Sequence, residues 1–401
     1  MKAYMISTQK QIEPFNDHPR DCLILNQKLG VLQEDVLHSL GCVLVPVSGV
    51  SEVNDSEEHI IFIDSLYFDR ELLKTFLTES RRLNKRTVCS LKQGLLTLRT
   101  VVNTQEVKKN KDTVEYGLHY IPSGALPGEP LPVVMDPDKF YESLPMPEHM
   151  FGFPEYRVPL PDKIAVQIDH WVNLWASNIA CLLAGLSEIK GASRLKLLGF
   201  AVRALSTNQW KIMKNTNHIG RNCDIHPSAY IECSTLGDNV RVGAGTVIRE
   251  SRIGSHSNIE NNVTINFSVV GESCYIGDGA VVRYSVMYPG VFFITSTLSC
   301  SMMGRDSFVG GGVTLTDFRF DGQYIKILKH GDILDTGNTY IGSCLGHNVY
   351  LGAGTIIASG RSVPSGVRLF PENSRFIQKF DSNGMAQGFQ RINIVTEKSR
   401  E

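Results

Sequence analysis

Between Ile219 and Met287 apolar residues recur every 17 positions, at Ile219, Leu236, Ile253, Val270 and Met287. A glycine follows each of the first four: Gly220, Gly237, Gly254 and Gly271. Inside each period the apolar positions step by six, six and five, as in Ile219–Ile225–Ile231 followed by Leu236–Val242–Ile248. The same steps continue through Ile253–Ile259–Ile265 and Val270–Ile276–Val282. A fixed internal period marks a solenoid, and hexads of this kind predict a parallel β-helix with three arms per coil. The aliphatic residue opening each hexad points inward and stacks on its counterpart in the next coil. Corners need residues that accept a positive φ cheaply, and the sequence supplies Asn222, Asp238, Asn239, Asn258, Asn261, Asn262, Asp278 and Gly279. The five-residue arm carries a serine at its fourth position (Ser234, Ser251, Ser268, Ser285), a row of small residues suited to a tight corner. The beat stops after Met287, resumes at Met303, Val309 and Leu315, and returns at Leu345 to end at Leu369. Phe318–Thr336 has no hexads and predicts an excursion, a hairpin turning at His330-Gly331.

A different pattern precedes the solenoid. Apolar runs of strand length at Val43–Val47 and His59–Asp64 alternate with helical spacing at Leu25–Leu40 and Asp69–Leu83, which predicts an α/β domain with a largely parallel sheet. Pro46 argues against a central place for the first strand. Asp69 is a candidate cap for a helix whose Leu72, Leu73, Phe76 and Leu77 share one face. Gly124–Pro161 is proline-rich and reads as loop with short elements. Trp171, Leu174, Trp175, Ile179 and Leu182 recur at helical spacing, as do Leu195, Leu198, Phe200 and Val202 after Gly191, predicting two connector helices. The expected order is an α/β domain over residues 1–165, a helical connector over 166–215, a β-helix over 216–375 and a polar tail over 376–401.

Composition adds exclusions. An apolar share of 42%, a charged share of 20% and a net charge of −1 describe a soluble globular chain. They give no electrostatic reason to expect nucleic acid or an anionic membrane as partner. Nine scattered cysteines without a CxxC pair indicate reduced thiols and a cytoplasmic protein. The first 21 residues lack the apolar core of a signal peptide. Trp171–Leu186, interrupted by Asn173, Ser177 and Asn178, reads as too short and too polar to cross a bilayer of about 30 Å.

The hexads resemble those of left-handed β-helix acyltransferases. The whole layout is similar to the bifunctional sugar-1-phosphate nucleotidylyltransferase/acetyltransferases, in which a nucleotidyltransferase domain precedes a connector and the β-helix. The resemblance is closest over Val309–Gly342 (VGGGVTLTDFRFDGQYIKILKHGDILDTGNTYIG), and a looser one covers Arg20–Gly41. It implies a homotrimer with acyl-CoA clefts between solenoids, and a front domain that takes a sugar phosphate or nucleotide sugar with Mg2+. Nucleotidyl transfer in that family uses a glycine-rich loop with cationic side chains to stabilise the leaving pyrophosphate. Here the loop position is Ser7-Thr8-Gln9-Lys10-Gln11, without glycine, and Lys10 and Arg20 are the nearby cations. Asp64 falls at the family's magnesium position, and Asp136-Pro137-Asp138 has the form of a metal-binding pair. The alternatives are a strand-ending turn for Asp64 and a helix cap for Asp136.

The family's acetyl-transfer base, a histidine, falls on Ile294; neighbouring family positions fall on Thr297, Ser299-Cys300, Phe308 and Asp317. Isoleucine takes no proton, so the resemblance does not carry that mechanism here. Substitute bases are His330 at the hairpin tip and His347 at the start of a coil, each against a structural reading as turn or corner residue. His226 and His256 read as outward or corner residues, and His170 as a packing residue, with a bridge from the connector to a neighbour as the alternative. Cys300 is a candidate nucleophile only if its pKa is lowered. Asp317, Arg319 and Asp321 adjoin that loop. Arg319 suits a phosphate or a salt bridge to a neighbouring aspartate. Three functions stay open: a nucleotidyl- or acyltransferase in nucleotide-sugar or cell-envelope glycan metabolism, a non-catalytic trimeric scaffold, and an acyltransferase with a relocated base.

Overall fold

Six strands form the front sheet: β1 (Lys2–Ile6), β2 (Val43–Val47), β3 (His59–Ile63), β4 (Thr87–Lys92), β5 (Thr113–Ile121) and β6 (Leu131–Met135). They are seen in a computed structural model that describes residues 1–372 except 55, 152–153, 192–198, 200–204, 207, 295 and 320. Their order is β6-β4-β5-β3-β1-β2, with a short strand at Lys108–Lys109 added beside β5. All pairings among the six are parallel except those of β5, which runs antiparallel to β3 and β4. β2 pairs with β1 alone, so Pro46 sits on an edge where its missing N–H costs no ladder bond. The chain leaves β1 for β2 on one side and returns to β3 on the other. The carboxyl ends of β1 and β3 therefore flank a topological switch point, the usual ligand crevice of such sheets.

Helix α1 (Leu29–Ser39) begins later than the spacing at Leu25–Leu40 suggests. Leu25 and Asn26 adopt positive φ and turn a small hairpin between Leu23–Ile24 and Gln27–Lys28. Helix α2 (Arg70–Leu83) starts where Asp69 Oδ1 accepts from the Leu72 N–H at 2.8 Å, and it buries Leu72, Leu73, Phe76 and Leu77. The proline-rich stretch is more ordered than its composition suggests. After β6 it forms a two-stranded ribbon, Asp138–Pro145 against Glu155–Pro161.

Helix α3 (Trp171–Lys190) is the connector. At 20 residues it is long and apolar enough to cross a membrane by length and composition, a correction to the shorter reading. What it does here is pack inside the molecule, with 78% of its apolar window buried. Asn173 and Asn178 are buried with it and bond to backbone of the front domain (the latter also to its own helix). The second connector run, 195–202, lies outside the described residues apart from Gly199, as does the tail from 376.

The carboxyl-terminal unit is a left-handed β-helix of hexapeptide-repeat coils, beginning at His218–Ile219 and ending at Arg368–Leu369. Two faces have eight parallel strands and the third has seven. Interior positions such as Leu236, Ile253, Val270 and Met287 are almost fully buried, each stabilising the stack by about 1.5–3 kcal/mol. The periodic glycines follow from the approach of the next coil: a Cβ on Gly254 would lie 2.5 Å from backbone atoms of Gly271 and Glu272. The serine row is structural. Each hydroxyl donates to the carbonyl two residues earlier and accepts the N–H of the serine one coil on, as Ser268 does with Asn266 and Ser285.

The break after Met287 is smaller than its sequence suggests. Phe292–Phe293 and Thr297–Ser299 continue two of the faces, with Phe293 and Leu298 pointing inward. The serine-to-serine step is 17 up to Ser285, 16 to Ser301 and 42 to Ser343. One coil is a residue short, and the following one contains the excursion. That excursion is the hairpin Lys326–Lys329 with Asp332–Asp335, turning at His330 and Gly331, both with positive φ.

Candidate functional site

The switch point is filled by the chain itself. The Thr8 N–H and hydroxyl both donate to Asp64, at 2.8 and 2.7 Å, and His18 Nε2 lies 3.3 Å away. Lys10 Nζ reaches Asp169 at 2.8 Å and Glu106 at 2.5 Å. Burial works against the lysine's charge, but its bonds to Asp169 and Glu106 hold its pKa above the ordinary value. Glu106 is held down to about 2, chiefly by Lys10, with Lys329 assisting. Lys329 arrives from the β-helix hairpin: its Nζ is 3.0 Å from Glu106 and 3.1 Å from the Thr104 carbonyl, and it is almost buried. His170 is buried and faces the Leu328 carbonyl of the same hairpin at 3.1 Å, so it both packs and bridges. The hairpin thus clasps the front domain beside its strand ends.

The candidate metal ligands are not brought together. Asp64 follows β3 and Asp136 follows β6, three strand spacings or roughly 14 Å across the sheet. Asp136 pairs with Lys92 rather than capping a helix that follows it. Asp138 accepts the N–H groups of Leu95 and Leu96, capping the short helix Leu95–Arg99 from another segment. Among the described residues no three His, Cys, Asp or Glu side chains form a metal-binding group. Asp64 and the pair Asp136 and Asp138 thus stand apart, each engaged with partners of its own.

The other candidates also find partners. Arg20 turns toward α1, pairing with Glu34 and the Gly30 carbonyl. Arg319 pairs with Asp321. His347 is not an exposed corner residue: its Nδ1 accepts the Arg305 N–H at 2.8 Å, its Nε2 lies 3.2 Å from Asp17, and its ring packs on Phe15. It joins the β-helix to the front domain. Burial opposes the Asp17 charge, but His347 and Arg305 hold its carboxyl below the usual range. His330 is exposed at the hairpin tip, 3.5 Å from Glu13. Cys300 is buried, and burial pushes its thiol up to about 12, with Asp317 adding to the rise. A raised thiol pKa works against the nucleophile role.

Cys300 and Asp317 do share a site, one that sequence reasoning missed. At the third corner of each coil Cys233, Glu250, Phe267, Tyr284 and Cys300 all adopt positive φ. Helix α3 docks on this corner, and the Trp175 indole N–H donates to the Tyr284 carbonyl at 2.6 Å. Between α3, the corner, the ribbon and the helix Leu95–Arg99 lies a cavity of about 360 Å³. Trp175, Ile179 and Leu183 line it from α3, and Leu96 and Val158 from the front domain. Its polar lining includes Arg99, Arg283, Asp317 and Asn338. The Arg99 guanidinium lies 4.0 Å from the Tyr156 ring centre, and donates to Asn338 Oδ1 at 3.2 Å and to the Arg157 carbonyl at 3.4 Å. Its Nε is buried with no hydrogen-bond partner, and among the described residues no carboxylate pairs with it. Nothing in the local sequence LLTLRT marks Arg99 as functional. Only the tertiary packing does.

Two solved structures are similar to part of this chain. A hexapeptide transferase family protein from Anaplasma phagocytophilum is 17% identical over 38% of this chain and 78% of that one, with a TM-score of 0.22. PerB from Caulobacter crescentus, solved in complex with CoA and GDP-perosamine, is 23% identical over 36% of this chain and 52% of that one, with a TM-score of 0.18. No curated protein gives a sequence match. Residues 207–298, which carry the strict 17-residue period, match the family described as the GMPPB C-terminal domain.

Proposed function

We propose that the protein is a non-catalytic scaffold or regulatory member of the nucleotide-sugar and sugar-acyl transferase class. In this reading it works in the cytoplasm as a homotrimer, in nucleotide-sugar or cell-envelope glycan metabolism. The carrying observation is the network at the carboxyl ends of β1 and β3. Lys10, Asp169, Glu106 and Lys329 satisfy one another where a nucleotide would bind. Ile294 at the base position and the buried thiol of Cys300 support the same reading for acyl transfer.

Two assays test it. Pyrophosphate release from nucleoside triphosphates with sugar 1-phosphates and Mg2+, and thiol release from acetyl-CoA with amino sugars, should both stay at the blank rate. Turnover lost in Lys10→Ala overturns the reading for the front domain. Acetyl transfer lost in His330→Ala instead supports a relocated base, a second reading favoured by the exposed His330 beside Glu13. Thermal-shift titration with acetyl-CoA separates a lost base from a lost cleft. A shift, with activity gained in Ile294→His, means that the cleft survives.

A further inference from the structure

We infer that the cavity between α3, the third corner of the β-helix and the front domain is a binding site for an organic monoanion with an apolar body, such as a medium-chain carboxylate. The inference stands whether or not the protein is catalytic. Protein interiors pack closely, yet about 360 Å³ stays open where several elements meet. That volume falls within the range of about 300–1,000 Å³ typical of small-molecule sites. Trp175, Ile179 and Leu183 sit four residues apart on one stripe of α3 and face the space. A stripe that reads as core packing therefore lacks part of its packing partner.

The lining also selects the ligand's polarity. A sugar phosphate would bring hydroxyls against Ile179, Leu183, Leu96 and Val158, where they would lose water without gaining partners. A hydrocarbon body would not. Arg99 supplies the fixed point for a head group: a planar guanidinium in the cavity lining, held by Tyr156, Asn338 and the Arg157 carbonyl, with N–H groups to spare and no carboxylate partner among the described residues. Such a fork suits a carboxylate. With Arg99 and Arg283 against Asp317, the lining carries one net positive charge, which matches a monoanion.

The test titrates the full chain with sodium octanoate, following tryptophan fluorescence through Trp175 and heat by calorimetry, with octan-1-ol and glucose 1-phosphate for contrast. Octanoate should bind saturably and at least about tenfold more tightly than octan-1-ol, the worth of one charge-assisted contact. Arg99→Gln should weaken octanoate by about the same factor and leave octan-1-ol unchanged. Ile179→Trp, which fills the space, should block both without lowering the melting temperature. If Ile179→Trp misfolds, the Arg99→Gln comparison decides alone. Three results overturn the proposal: no saturable octanoate binding, binding unchanged in Arg99→Gln, or glucose 1-phosphate binding more tightly than octanoate.

Discussion

Gly254 and Ser268 show how single positions set the coil geometry. Gly254 needs no unusual φ; it needs the absence of a Cβ, because the next coil passes 2.5 Å from where one would be. Gly254→Ala should therefore cost about 1–3 kcal/mol through overpacking, read as a lower urea midpoint with an unchanged slope. Ser268→Ala removes a hydroxyl that serves the Asn266 carbonyl, in a part-buried bond, and the Ser285 N–H, in a buried one. A loss of about 1–3 kcal/mol is expected for groups left unsatisfied, and a loss within error would show that water replaces the hydroxyl. The recurrence of both residues was legible in the sequence, but the close approach of the coils and the hydroxyl bonds behind it were not. The positive φ at Phe267 and Tyr284 was not legible, since such residues avoid that region. The preceding coil holds them there, through the Phe267 N–H to the Arg249 carbonyl and the Tyr284 N–H to the Asn266 carbonyl. Arg99 was invisible for a related reason: its isolation from carboxylates is a property of tertiary packing.

Among the elements, the hairpin Lys326–Asp335 has the most consequence. Its position and its turn at His330-Gly331 follow from the interruption of the hexads, but its docking on Glu106 could not be read from spacing. Glu106 has a folded pKa of about 2 against an ordinary 4.5. A depressed carboxyl stabilises the folded form above its unfolded value. The clasp should be fully present above about pH 4.5 and lost as the pH falls toward 2. Hydrogen exchange of the hairpin amides should speed up across that window in the native chain. In Glu106→Gln the dependence should vanish, and an unchanged pH profile in that variant would count against the clasp. The short coil at Phe293–Leu298 was misread for a simple reason. Loss of one residue from an arm shifts every later hexad, while the inward side chains keep their places.

At the scale of the molecule, the front domain and the β-helix are not independent bodies joined by a tether. One buried cluster includes Ile12, Phe15 and Ile24 from the front, Trp171 and Leu174 from α3, and Val286, Tyr288 and Ile327 from the β-helix side. The domain order was legible from the change of period, but this shared core was not, because no periodicity records which faces meet. Trp171 is fully buried within it. Trp171→Ala should cost about 3–5 kcal/mol and lower protection in β1 and in the coils near Val286 together. Two separate urea transitions, with only one of them shifted, would refute the coupling.

The clasp also has a consequence for the order in which the molecule can be made. Lys329 is 223 residues downstream of Glu106. At a synthesis rate of about 5–20 residues per second that gap lasts roughly 11–45 seconds. The front domain is complete in the chain long before its hairpin exists. Until the hairpin is made, Lys10 can pair with Glu106 and, once that residue too is made, with Asp169, but Glu106 lacks Lys329. The nascent chain passes through a state that the finished protein does not show, and in that state the crevice at the ends of β1 and β3 lacks its clasp.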